Sequence, residues 1–464
     1  MQADLPSFPR RGRGRSHQVD TMGYEQEYRQ KLASAEAAAS LVRSGDWVDY
    51  GFGLGQPDQF DRALAARKAD LRGVHIRGAL SLRPRAVIEC DPEGEHFLWF
   101  SWHFSGLDRS WHDAGRCNYV PMNFGEGPDY YRRFIERVDV ACLKTCPMDD
   151  HGYFNFGGAV SYEKAVTERA KILIVETCES MPYVYGSQEA VHISEVDHII
   201  ESDGTPLPVL ANPPPTAIDH TVAGLIAAEV EDGACLQIGI GGMPNAVCTL
   251  LCESSVQDLG IHSEMLVDGM IDLWDAGKIT GVRKTLNRYQ MVFTFAAGSR
   301  RQYDFIHRNP RAHGYPVDYT NLPHNIMQND RVVSINNTTQ IDLQGQVAAE
   351  SSGHRHISGT GGQLQFVRGA YASRGGKSFI CLGSTYDKGG VRQSRIVSTL
   401  TPGNIVTTPR TDVMYVVTEY GMVNLKGKSV AERVRALIAI AHPDFREQLE
   451  RDARQHNLLP KGFV

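Results

Sequence analysis

Residues 232–272, DGACLQIGIGGMPNAVCTLLCESSVQDLGIHSEMLVDGMID, constrain the fold more than any other stretch. A short apolar run at 234–238 reads as a strand, and 239–245 (Gly-Ile-Gly-Gly-Met-Pro-Asn) reads as a glycine turn. A helix-like run follows, and a second apolar run at 259–266 carries Glu264. Strand, glycine turn, helix and strand make up the repeating unit of a parallel α/β sheet. If the two strands are neighbours, the bare N–H groups of the turn and the Glu264 carboxylate share the carboxyl-terminal edge.

The same order occurs earlier. Gly45, Gly51 and Gly53 recur 188 positions on as Gly233, Gly239 and Gly241, and Gly73-Val-His75 recurs 187 positions on as Gly260-Ile-His262. This pattern predicts an internal duplication, two similar open α/β domains in one chain. The alignment sets Glu264 opposite Arg77, so only the second copy carries the carboxylate.

The predicted layout starts with a disordered arm at 1–22, rich in Pro, Gly and Arg. An N-terminal α/β domain at 23–205, a proline-rich linker at 206–216 and a C-terminal α/β domain at 217–464 follow. Proline cannot sit inside a helix or a central strand, which places the break between domains at the linker. Residues 24–43 read as one alanine-rich helix, 171–176 and 378–382 as buried strands, and 430–454 as a helical stretch broken at His442-Pro443.

Composition narrows the function. A net charge of −6 argues against nucleic acid as the partner, which calls for a basic stripe. No run approaches the roughly 18 apolar residues that span a bilayer. Nine cysteines, an odd number, fit a reducing compartment, so a cytoplasmic protein is expected. Cys142 and Cys146, and Cys248 and Cys252, lie four apart, but no Cys/His cluster surrounds either pair and no metal is expected.

Neither GFGLGQP nor GIGGMPNAV is a full dinucleotide fingerprint, and neither holds the Gly-Lys-Ser of a P-loop. A third glycine cluster, Gly359, Gly361 and Gly362, supplies further bare amides. Two such loops at one crevice can each give a donor to a developing oxyanion. On chemistry alone, Glu264 is a general base, a metal ligand, a salt-bridged structural residue or a nucleophile, and Glu350 and Glu419 are its rivals. The aromatic run 97–104, with Trp111 and Tyr119, is a candidate acyl pocket, and His103, His112 and His262 read as structural histidines.

The blocks GIGGMPNAV, LGIHSEMLVDGMIDL, HISGTGGQLQFVRGA, GSTYDKGGVRQSRIV, VVTEYGMVNLKGKS and ALIAIAHPDFREQL together resemble the family I coenzyme A-transferases, in the acetyl-CoA hydrolase/transferase group. RCNYVPMNFGEGPDYYRR, DDHGYFNFG and YPVDYTNLP resemble its 4-hydroxybutyrate and butyryl-CoA:acetate branch. The resemblance implies the NagB/RpiA-like fold, Glu264 as nucleophile, and Gly239, Ile240, Gly241, Gly242 and Met243 as the CoA and oxyanion loop. It also implies a second donor near Gly361 or Gly362, and Lys388 as the lysine that meets CoA. No permanently bound cofactor is implied; an acyl-CoA thioester and small carboxylic acids are the substrates, and relatives imply a homo-oligomer. The resemblance also leaves an acyl-CoA hydrolase on the same scaffold as the alternative. Gln365 stands where many relatives have Asp, a departure that bears on hydrogen bonding behind the nucleophile or on acyl selectivity.

Overall fold

The computed structural model describes residues 21–211 and 213–460. Residues 1–20 of the expected arm lie outside the described residues, while Thr21 and Met22 already belong to the helix Thr21–Lys31. The single helix expected at 24–43 divides into Thr21–Lys31 and Ala35–Ala39. Between them Leu32 bridges to Ile199 at the sheet edge, and Ser34 accepts from the Ala37 N–H to cap the second helix.

Seven strands form the first sheet: β1 (Trp47–Phe52), β2 (Val74–Ala79), β3 (Phe97–Ser101), β4 (Cys117–Tyr119), β5 (Val140–Thr145), β6 (Ile172–Thr177) and β7 (His198–Ile200). Their order is β7-β6-β5-β1-β2-β3-β4, parallel throughout. The second sheet holds β8 (Cys235–Ile238), β9 (Gly260–Ile261), β10 (Val332–Asn337), β11 (Lys377–Cys381), β12 (Tyr415–Thr418) and β13 (Gly421–Asn424), ordered β9-β8-β10-β11-β12-β13. The run β7-β6-β5-β1-β2 therefore has the same topology as β12-β11-β10-β8-β9. That correspondence bears out the two similar α/β domains, with β3 and β4 added to the first and the antiparallel β13 to the second.

The register corrects the residue-level alignment. Trp47 pairs with His75, but its counterpart Cys235 pairs with Gly260. The shorter second crossover brings β9 in two residues earlier than the glycines indicate, so Glu264 stands opposite Ala79 and not Arg77. Arg77 is a structural residue of the first domain, buried with its Nε 3.3 Å from Asp49 and its guanidinium over Trp47.

The strand expected at 259–266 is broken. Ile261 pairs with Leu236, and Met265–Leu266 then pairs with Phe295–Ala296. Between these, the His262 N–H still bonds Leu236 O (3.1 Å), while the Ser263 N–H has turned to Val292 O (2.9 Å). Glu264 sits where the chain changes partners. The break leaves it at the carboxyl edge of β8, where the glycine turn begins.

The two halves are packed as one body. A continuous apolar core runs from Phe52 and Phe154 to Leu236, Phe293 and Val417, and each fully buried side chain of this size contributes about 1.5–3 kcal/mol. Tyr185–Gly186 of the first half pairs with Ala312–Gly314 of the second. The proline-rich segment is a strap: Tyr303 OH donates to Pro208 O (2.7 Å), the Leu210 N–H donates to Gly298 O (3.0 Å), and Leu207 is buried. The end of the chain forms the helices Val430–Ala439 and Pro443–Gln455, broken at His442-Pro443, and packs over Val413, Val416 and Leu425.

Candidate active site

Glu264 is fixed on both sides. Its carbonyl accepts from the N–H groups of Thr294 (2.9 Å) and Phe295 (3.3 Å), which anchors the backbone. Its Oε2 accepts from Asn321 Nδ2 at 2.6 Å. The Thr320 hydroxyl donates to Asn321 Oδ1 (2.8 Å), which leaves the amide nitrogen to face the carboxylate. His262 closes the loop by bonding Thr320 O through Nε2 (2.8 Å), and burial with nearby Lys284 drops its pKa to about 3. It is the structural histidine expected. Lys284, itself lowered to about 8 by burial, donates to Ile261 O and Gln290 O (both 2.7 Å) and pins the strand just before Glu264.

Burial raises the Glu264 carboxyl from 4.5 to about 7, and hydrogen bonds from Asn321 and the Gly362 N–H hold it from rising further. Near neutral pH both forms are populated, and the anion is poorly hydrated and held by few donors. That combination favours reaction at carbon over a passive ion pair.

Glycine at 362 leaves room for the pair, since a Cβ there would displace the ends of the Asn321 and Glu264 side chains. Gly361, at φ +56°, brings its own Cβ position within 3.8 Å of Glu264 Oε1. The loop is stitched to the first domain: Phe124 N–H donates to Gly361 O (3.0 Å), and Gln365 Oε1 accepts from the Gly125 N–H (2.9 Å). Gln365 thus holds the interdomain seam at Gly125, where Asn321 packs as well.

A cavity of about 180 Å³ opens beside Glu264. Gly239 and Ile240 line it, Gly239 with open space at its Cβ position and Ile240 54% exposed. The turn then swings through Gly241 at φ 131° into the helix Gly242–Glu253. Gly242 packs on Asp219, and Met243 lines a second cavity of about 220 Å³ with Asp219, Asn337 and Arg395. The five residues expected to act as one loop are thus divided, two on the Glu264 cavity and Met243 on its neighbour. Lys388 stands exposed on the hairpin Thr385–Lys388 and Val391–Ser394, outside the walls of both cavities.

The apolar wall differs from the one expected. Phe52 stacks on Phe124 (4.9 Å) and meets Phe295 edge-on (4.8 Å), with Leu80, Leu210 and Phe366 completing it. Trp99 and Trp111 are buried in the first domain's own core, edge to face at 6.1 Å, and of the aromatic run only His103 reaches the cavity. Burial lowers His103 to about 4, so its ring is neutral at pH 7.

The rivals have structural jobs. Glu350 accepts from the hydroxyls of Tyr119 (3.3 Å), Thr360 (3.0 Å) and Thr407 (2.9 Å), which shapes the loop before Gly361. Glu419 accepts from the N–H and hydroxyl of Ser384. The first domain's glycine turn is filled from within: the fully buried Glu163 carboxylate accepts from the Phe52 N–H (2.7 Å), and Glu176 takes the N–H groups of Asp58, Gln59 and Phe60 at the following helix start. Only the second copy leaves its glycine turn open beside a carboxylate.

Sequence reasoning missed Asn321, which lies 57 residues from Glu264. It also missed the walls Phe52, Phe124 and Phe295. Phe52 and Phe124 lie in GFGLG and MNFGEG, and Asn321 in YPVDYTNLP, but neither periodicity nor spacing singles them out.

The acetyl-CoA hydrolase/transferase N-terminal domain matches residues 16–211, and the C-terminal domain of the same name matches 298–453. The chain belongs to the acetyl-CoA hydrolase/transferase family. It is 48% identical to the butyryl-CoA:acetate CoA-transferase of Anaerostipes caccae over 94% of this chain and 98% of that one. It is 41% identical to the 4-hydroxybutyrate coenzyme A transferase of Clostridium kluyveri over 92% of this chain and 98% of that one. The crystal structure of RipA from Yersinia pestis superposes with a TM-score of 0.86 at 39% identity, covering 94% of this chain and all of that one. Acetyl-CoA hydrolases are more distant, the Schizosaccharomyces pombe enzyme being 24% identical over 75% of this chain and 74% of that one. Within the family this chain is a CoA-transferase. No helix among the described residues is long and apolar enough to cross a membrane.

Proposed function

We propose that this CoA-transferase moves CoA between short-chain acids, butyrate or 4-hydroxybutyrate with acetate, by a ping-pong mechanism through a glutamyl-CoA thioester on Glu264. The supporting observation is the Glu264 carboxylate, held by Asn321 at 2.6 Å beside open glycine amides and an apolar cavity. The cavity of about 180 Å³ is a little larger than the roughly 150 Å³ apolar cavity that takes up a benzene ring, and so has room for a short acyl chain.

Glu264 attacks the acyl-CoA carbonyl; the C–S bond breaks, leaving a mixed anhydride and CoA thiolate. The thiolate attacks the Glu264 carbonyl and expels the first acid as carboxylate. An acceptor carboxylate then runs both steps in reverse. No net proton or water is consumed. Amides at Gly239–Ile240 and Gly361–Gly362 stabilise the tetrahedral oxyanions, each donor worth about 2.7–4 kcal/mol. The CoA arm passes the glycine turn toward the cavity at Met243 and the hairpin bearing Lys388. The apolar wall excludes water from the intermediates, which favours transfer over hydrolysis. Residues 23–205 and 217–464 act as the two domains, the segment 206–216 as the strap between them, and the protein works as a cytoplasmic homo-oligomer.

The test is intact mass after incubation with butyryl-CoA and borohydride, which reduces a glutamyl thioester. Wild type and Glu350→Gln should show the mass loss of a Glu264 carboxyl reduced to the alcohol, CoA leaving as the thiol, and Glu264→Ala should not. That mass loss on Glu264→Ala, or its absence from wild type that binds butyryl-CoA, would overturn the assignment.

A further inference from the structure

Among the buried side-chain donors that line the cavity beside Glu264, Gln363 Nε2 has nothing to donate to. Gln363 opens the helix Gln363–Ala372, is 9% exposed and lines the cavity, and its Nε2 is buried without a hydrogen-bond partner among the described residues. Leaving such a donor unsatisfied costs about 1–3 kcal/mol, so its position calls for an acceptor brought by a ligand or by water. Three nearby side-chain amides have partners. Asn336 Nδ2 donates to Gln237 Oε1 (3.2 Å) and Ser334 Oγ (2.8 Å), Asn321 donates to Glu264, and Gln365 spans to Gly125.

The charge of the walls limits what that acceptor is. The described lining residues include no lysine or arginine, His103 is neutral, and Glu264 is the one acidic group. A second carboxylate on the acyl chain would be buried against Phe52, Phe124 and Phe295 without a counter-charge, at high cost. A neutral hydroxyl or oxo oxygen carries no such penalty and fits the unpartnered Gln363 donor.

We propose that this cavity selects a short acyl chain bearing a neutral oxygen beyond the reacting carbonyl, with Gln363 Nε2 donating to that oxygen. Gln363 is then a specificity-determining residue, and the proposal rests on the transferase reading above. A site built to hydrogen-bond a substrate hydroxyl rejects the analogue lacking it far more strongly than an apolar pocket rejects a change of one methylene.

The experiment compares kcat/KM for 4-hydroxybutyryl-CoA, butyryl-CoA and succinyl-CoA, with acetate as acceptor, in wild type, Gln363→Leu and Gln363→Met. Wild type should favour 4-hydroxybutyryl-CoA over butyryl-CoA by tenfold or more and use succinyl-CoA worst. Both variants should bring the hydroxybutyryl-to-butyryl ratio down toward one. A wild-type ratio near one overturns the proposal, as does an equal loss on both substrates in a variant, since Gln363 then serves the reacting carbonyl. Either of those results, with the Glu264 mass loss still produced by butyryl-CoA and borohydride, leaves the transferase reading intact. Absence of that mass loss with all three thioesters overturns both.

Discussion

Asn321→Ala removes the side-chain donor bonded to Glu264, at 2.6 Å from Oε2. A hydrogen bond to a charged group is worth about 1.5–3 kcal/mol, and one pKa unit corresponds to about 1.36 kcal/mol. The Glu264 pKa, already raised by burial to about 7, should therefore rise by roughly one to two units. The direction follows from the donor's preference for the anion. At pH 7 the reactive carboxylate would fall from about half of the population to about a tenth at the lower limit and about a hundredth at the upper. CoA transfer from butyryl-CoA to acetate at pH 7 should drop roughly 5- to 50-fold and recover as the pH approaches 9. The assay is kcat/KM against pH for wild type and variant, with the acid limb fitted in each. An acid limb that stays in place or moves to lower pH refutes the idea that Asn321 sets the ionisation of Glu264.

Three further outcomes follow from the same geometry. Glu264→Gln should be more stable than wild type at pH 8 by up to about 3 kcal/mol, since a carboxyl raised from 4.5 to about 7 loses stability as pH climbs through that window; urea unfolding should show the gap closing toward pH 4.5, and a constant or reversed gap contradicts it. Gly362→Ala should cut turnover at least about 100-fold, because its Cβ occupies the space of Asn321 Nδ2 and Glu264 Oε2; near-normal kcat would show that the loop can move aside. Lys388→Ala should raise KM for acyl-CoA about two- to fivefold with kcat little changed, and the effect should fade in high salt, as expected of an exposed lysine; a fall in kcat at constant KM would place Lys388 at the chemistry instead.

The positions legible in advance were those whose chemistry is local. The turn at 239–242 shows itself because glycine alone adopts Gly241's φ of 131° cheaply, and the apolar runs around it can only be buried strands. The repeat of that unit indicated two domains, and ordered blocks across the chain pointed to the family and to Glu264. The residue-level alignment of the repeat failed because glycines mark turns and not register; a shorter crossover moved Glu264 from opposite Arg77 to opposite Ala79.

A parallel α/β duplication, a glycine turn at a strand end and a carboxylate near it are readable from residue order alone. Long-range packing selected which glycine turn is open, because Glu163 and Glu176 fill the first one from distant segments. It decided that Glu264 lies where the chain leaves β9 for Phe295–Ala296, and that Asn321 meets its carboxylate. It also drew the acyl wall from Phe52, Phe124 and Phe295, and not from the aromatic run at 97–104. Turns and strands follow from local backbone preference and apolar patterning, whereas burial, pKa and cavity shape are set by which distant segments pack together.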